Sequence, residues 1–110
     1  MVRRMEEYEL LITEIFSKTL EKVDNRIRVW AEKVKFELKT NPYNGKQLRF
    51  EWFREQRFEN YRLYYFVSEE PKRVLAIILA PKKDQDKIIH QIIQNKDEFW
   101  KLIRETKPNA

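Results

Sequence analysis

Cysteine is absent from the 110-residue chain. That excludes a disulfide framework, a thiol nucleophile and any cysteine-liganded zinc or iron–sulfur site, and it fits a reducing cytoplasm. Histidine occurs once, at His90, so no histidine-based metal site can be built. Glycine also occurs once, at Gly45. With no second glycine and no strand before it, Gly45-Lys46 is not a phosphate-binding loop. The longest apolar run, VLAIILA (Val74–Ala80), is too short to cross a bilayer, and the N-terminus carries arginines but no apolar signal-peptide core. The expectation is a cytoplasmic protein with no cofactor, no metal and no membrane partner.

What the chain does contain is charge and aromatic surface. Charged residues make up 37%, hydrophobic residues 42% and aromatics 14%. That is enough apolar material for one folded domain over residues 1–110. With 23 Lys and Arg against 18 Asp and Glu, the net charge is +5, which favours an anionic partner such as nucleic acid.

YELLITEIF (Tyr8–Phe16) reads as a strand, and Ser17 as the cap of a short helix over KTLEKV. Asp24 caps a longer helix in which Ile27, Trp30, Val34 and Leu38 form one apolar stripe. Thr40, Asn41 and Pro42 end it, and Gly45 follows in NPYNGKQLRF (Asn41–Phe50), where a side chain would not be tolerated. The period then changes. Leu48–Arg54 and Tyr61–Val67 are aromatic-rich strands joined by a Glu59-Asn60 turn, with Asn60 the residue suited to a positive φ. After a turn at Ser68–Lys72, Arg73–Ala80 is apolar on both faces and reads as a strand covered on each side. Pro81 closes it, Asp84 opens a last helix with an Ile88, Ile89, Ile92, Ile93, Phe99, Trp100, Ile103 face, and Pro108 stops that helix. The expected fold is α+β: a small antiparallel sheet with two helices from the N-terminal half and one C-terminal helix packed on it.

Basic residues gather around the strands: Lys46, Arg49, Arg54, Arg57, Arg62, Lys72, Arg73, Lys82, Lys83 and Lys87, with aromatics among them. Cations hold phosphates and aromatic faces stack on unpaired bases, the combination that single-stranded nucleic acid requires. Arg62 stands out. Strand alternation puts it with Tyr64 and Phe66 on one face, opposite Tyr61, Leu63, Tyr65 and Val67. A cation inside an aromatic row needs an acidic partner, a phosphate or an open cleft. Asp84 and Asp86 are accounted for by helix capping and the helix dipole, and His90 lies off the apolar helix face.

The element order, NPYNGKQL after the second helix, NYRLYYFV in the sheet and a late strand ending in APKKDQDK resemble the RelE/ParE toxin superfamily, and archaeal RelE-like proteins most. The likeness runs from about Tyr8 to Arg104. It implies a compact toxin neutralised by an antitoxin, a monomer or weak dimer when free, that cleaves mRNA on the ribosome. The reaction it implies is attack of a ribose 2′-hydroxyl on the adjacent phosphate, leaving a cyclic phosphate, without metal. By the same resemblance Arg62 takes the phosphate-stabilising position, and Lys83 the place of a second active-site arginine. Arg54 and Arg57 fall at basic positions, with Glu55 between them at a lysine position. Lys46, Arg49, Lys82 and Lys87 extend the backbone-binding rim. The family's catalytic tyrosine falls near Ile89, leaving Tyr64, Tyr65 or His90 as stand-ins, of which Tyr64 lies with Arg62. Two alternatives stay open: a non-catalytic module binding RNA, ribosome or antitoxin, and a ParE-like inhibitor of gyrase.

Overall fold

The computed structural model describes residues 7–107, and the expected stop at Pro108 lies outside them. The chain forms β1 (Glu9–Ile12), α1 (Glu14–Lys22), α2 (Asn25–Glu37), β2 (Lys46–Gln47), β3 (Phe53–Phe58), β4 (Tyr61–Glu69), β5 (Lys72–Pro81), α3 (Gln85–Gln94) and α4 (Lys96–Glu105). Short 3₁₀ turns at Pro42–Asn44 and Lys82–Asp84 precede β2 and α3. One five-stranded sheet runs in the order β1-β5-β4-β3-β2. It is mixed, because β1 lies parallel to β5 while the other pairs are antiparallel. The α+β expectation holds. Among the described residues no helix is long and apolar enough to cross a membrane.

The two sheet faces carry separate cores. Helices α1 and α2 cover one with Phe16, Ile27, Ala31, Val34 and Leu38, which meet Leu63, Tyr65, Val67, Val74 and Leu79. Helices α3 and α4 cover the other, where Ile92 and Ile103 meet Phe53, Tyr64, Phe66 and Leu75. The α2 stripe is therefore as expected, with Trp30 stacked on Phe58 at 5.3 Å. Along β4 and β5 the pairing shifts by one residue: Tyr64 pairs with Ile78 but Tyr65 pairs with Ala76, so Ile77 is a bulge.

Several local boundaries differ from the expectation, each for a packing reason. The first strand ends at Ile12 because Thr13, not Ser17, caps α1: its Oγ1 accepts from the Phe16 N–H at 2.9 Å. The same hydroxyl donates to the carbonyl of the bulged Ile77 at 2.6 Å. Residues 48–52 are not strand. Their aromatics pack instead, Phe50 stacked on Trp52 at 4.5 Å and Trp52 edge-on to Trp100 at 5.1 Å. The last helix is two helices, α3 stopping at Asn95, which also satisfies the Gln91 carbonyl through its side chain. Asp84 precedes α3 without a side-chain cap. At the hairpin it is Glu59, not Asn60, that takes a positive φ, of 54°.

Gly45 is extended, with φ −75° and ψ 165°, so no left-handed turn calls for glycine there. Space does. A Cβ at this position would lie 2.2 Å from Tyr65 Oη and 2.7 Å from the Glu55 carbonyl oxygen. Tyr65 meanwhile donates to the Pro42 carbonyl at 2.7 Å. Gly45 lets the loop press against the sheet.

Candidate functional site

Alternation along β4 places Arg62 and Tyr64 side by side on the α3/α4 face. Across the ladder β3 sets Arg57 opposite Arg62 and Glu55 opposite Tyr64, and β2 sets Lys46 opposite Glu55. Cross-strand partners on one face bring their Cβ atoms to about 4.5–5.5 Å. These strand ends therefore gather two arginines, a lysine, a tyrosine and a carboxylate. Beyond β5, the Lys82 N–H donates to the Asn60 carbonyl at 2.6 Å, which pins the Lys82-Lys83 turn beside the hairpin.

Arg62 is 5% exposed. Its Nη1 donates to the carbonyls of Glu59 at 3.0 Å and Tyr61 at 2.8 Å, closing the hairpin, while its Nε–H has no acceptor. Tyr64 is fully buried and its hydroxyl also has no partner. Burial pushes that hydroxyl well above the usual phenol range, and the nearby Glu55 carboxylate adds to the shift while Arg62 opposes it. Two buried donors of one strand face thus lack acceptors, an arrangement that buried polar groups normally avoid.

Glu55 is 1% exposed and fully engaged. One carboxylate oxygen accepts from Arg57 Nε at 2.9 Å and the other from Gln85 Nε2 at 2.8 Å. Beside it an open groove of about 480 Å³ is lined by Lys46, Leu48, Arg49, Asp86 and Ile89. Among the described residues no hydrogen bond or ion pair engages the side chains of Lys46, Arg49, Lys82, Lys83 or Lys87, all exposed.

The structure thus brings together Arg57, Arg62, Tyr64 and Lys46, with Lys82 and Lys83 at the hairpin end. It sends Arg54 elsewhere. That residue shares the Tyr65 face, donates to the carbonyls of Glu51, Tyr43 and Gly45, and lies 5.0 Å over the Tyr43 ring. Arg73 is also structural, held by Glu9 and the Ile103 carbonyl. Tyr65 is on the far face with its hydroxyl engaged, and His90 is exposed on α3. Ile89 lines the groove and offers no proton. Among the described residues no group of three or more His, Asp and Glu could hold a metal ion.

Sequence reasoning did not select Glu55 or Gln85. Glu55 carried a signal, since it precedes Arg57 by two positions in a strand and must share its face. Gln85 carried none, because only the return of the chain after β5 brings it there.

This arrangement of sheet and helices recurs in solved structures. No protein-family model matches the sequence, and no curated protein matches it either. By structure, the free RelE toxin of E. coli, carrying two arginine-to-alanine substitutions, is similar with TM-score 0.69 at 20% identity, over 81% of this chain and 97% of that one. RelE of the Mycobacterium tuberculosis RelBE2 toxin–antitoxin complex gives TM-score 0.60 at 26% identity, over 68% and 98%. The archaeal RelE–RelB complex of Pyrococcus horikoshii OT3 gives 0.62 at 18% identity, over 69% and 96%. The chain has the RelE-like fold. Its architecture matches that of RelE toxins of toxin–antitoxin systems, as the motifs in its sequence led one to expect.

Proposed function

We propose that this protein is a RelE-like toxin that inhibits translation by cleaving ribosome-bound mRNA in the cytoplasm, and that an antitoxin protein restrains it. The observation that carries the reading is the pair of buried, unpartnered donors, Arg62 Nε and Tyr64 Oη, at the edge of a field of unpaired cations. A phosphate supplies the acceptors they lack. Arg62 and Lys83 hold the scissile phosphate and offset the charge that builds on it in the transition state. Tyr64 donates from beneath. Lys46, Arg49, Arg57, Lys82 and Lys87 position the RNA backbone, and Arg54 acts only by shaping the loop. The solved RelE structures from Mycobacterium and Pyrococcus are complexes with RelB-type antitoxins, which supports a partner of that kind here.

The test is mRNA cleavage on programmed ribosomes. Wild type should cut, and Arg62→Ala should lower the rate by about 10²–10³-fold. Because Arg62 also closes the hairpin, the exposed Lys83→Ala is measured beside it and should slow cleavage with no change in melting. A second reading has one observation in its favour: Ile89 occupies the groove where the resemblance expects a tyrosine. It describes a non-catalytic module that binds RNA, ribosome or antitoxin through the same face. Binding of wild type to ribosomes without cuts would favour it.

A further inference from the structure

We infer that Glu55 is the proton acceptor of the site, taking the proton of the RNA 2′-hydroxyl that attacks phosphorus. The inference rests on the mRNA-cleavage reading and names the base that reading requires. Its ground is the setting of a carboxylate that stability does not need. A buried ion pair is weak evidence for stability, since well-packed apolar side chains of similar volume do as well or better. Yet Glu55 sits at 1% exposure among the residues proposed to hold phosphate.

Its two partners differ in what they leave free. Gln85 is a neutral donor fixed at the start of α3. Arg57 reaches the carboxylate through Nε alone, and among the described residues its two Nη groups make no hydrogen bond. A guanidinium carries five N–H donors in a rigid fork. Arg57 can therefore keep Nε on Glu55 and hold a phosphate with its Nη groups. That phosphate then lies one guanidinium width from the carboxylate, with Arg62 facing it from the neighbouring strand. In RNA the 2′-hydroxyl is adjacent to the phosphate on the same ribose, so a scissile phosphate held by Arg62 and Lys83, and positioned by the Arg57 Nη groups, brings the hydroxyl to Glu55. The Arg57 side chain, 47% exposed, is the cover over the carboxylate. Glu55 accepts one bond on each oxygen, and a carboxylate has about four lone-pair sites, so one stays open to the 2′ proton without breaking the Gln85 bond.

The step balances. Glu55 takes the 2′ proton as the 2′ oxygen bonds to phosphorus. The bond from phosphorus to the 5′ oxygen breaks, and that oxygen takes a proton from water. The hydroxide so formed recovers the proton from Glu55, and a 2′,3′-cyclic phosphate remains. Tyr64 does not compete as the base, because burial keeps its hydroxyl protonated.

The experiment is single-turnover cleavage on programmed ribosomes with the protein in saturating excess, alongside ribosome binding and circular dichroism. Glu55→Gln keeps the side-chain shape and removes the base. It should lower the cleavage rate by at least about 100-fold with binding unchanged within about twofold. Glu55→Asp and Glu55→Asn form a second matched pair, one methylene shorter. The Asp variant should cut at least about tenfold faster than the Asn variant. If wild type cuts and Glu55→Gln cuts equally fast, Glu55 is not the base and the mRNA-cleavage reading stands. If folded wild type makes no cuts, both fall. Should Glu55→Gln lose its fold, the shorter pair decides, and equal Asp and Asn rates overturn the inference.

Discussion

Tyr64 and Tyr65 are neighbours in sequence, both fully buried, and opposite in circumstance. The Tyr65 hydroxyl is bonded to the Pro42 carbonyl inside a face sealed by α1 and α2. The Tyr64 hydroxyl has nothing, and the Arg62 Nε beside it has nothing either. The two ends of β4 differ in the same way. At one end the Glu69 carboxylate accepts from Tyr8 at 2.6 Å and Tyr43 at 2.5 Å and pairs with Lys72. At the other, Arg62 closes a hairpin and still holds a donor in reserve. Where polar groups are matched, the fold is being maintained. Where buried donors outnumber acceptors, the proposed phosphate would supply the missing one.

Substitutions on the matched side should weaken the fold, and the largest effect is expected at Gly45. Gly45→Ala drives a methyl into Tyr65 Oη and the Glu55 carbonyl, so it should cost about 2–3 kcal/mol by urea denaturation. Adding Tyr65→Phe should recover part of that loss by removing the clashing oxygen. An unchanged midpoint in Gly45→Ala would mean the loop does not press on the sheet. Next come the tyrosines themselves. Tyr65→Phe leaves the Pro42 carbonyl unpaired and should destabilise by about 1 kcal/mol, whereas Tyr64→Phe removes an unsatisfied hydroxyl and should be neutral or stabilising by up to about 1 kcal/mol. Equal losses from the two would break the comparison.

The smallest effect concerns Glu69. Hydrogen bonds from Tyr43 and Tyr8 hold its carboxyl below the usual 4.5. A depressed folded pKa stabilises above the unfolded value, and that stability is lost as pH falls through the folded value. Glu69 is half exposed, so screening keeps the contribution to about 0.5 kcal/mol or less. Glu69→Gln should therefore be slightly less stable than wild type at neutral pH. The gap should close below about pH 4, and a gap independent of pH would remove the ionised form from the account.

Much of this fold was legible because its signals are local. The α2 stripe, the alternation that sets Arg62 with Tyr64, and the doubly apolar β5 need only periodicity. What was not legible depends on distant partners. Thr13 became a cap because the Ile77 carbonyl waits for its hydroxyl. The Leu48–Trp52 run looked like strand because aromatics favour strands, yet Trp100 from α4 draws it into a loop. Gly45 was recognised as intolerant of a side chain, but the obstacle is a tyrosine ring from another strand rather than its own backbone. In the site, single residues such as Arg62 could be picked out. The Glu55–Arg57–Gln85 cluster joins two elements, and only the closed sheet reveals it.

The bulge at Ile77 has a consequence for how this family of shapes can vary. Before it, Val74 and Ala76 point to the α1/α2 layer; after it, Leu79 does. Ile77 and Ile78 both belong to the α3/α4 face, so the bulge takes up one residue out of turn. Deleting Ile77 would close the ladder into regular alternation, with Leu79 still toward α2 and Ala80 still toward α3. Forcing the bulge flat with Ile77 kept in the ladder would do the opposite and turn every later residue of β5 over. One extra residue, clasped by one threonine hydroxyl, is thus absorbed without changing which side of the sheet the rest of the strand presents.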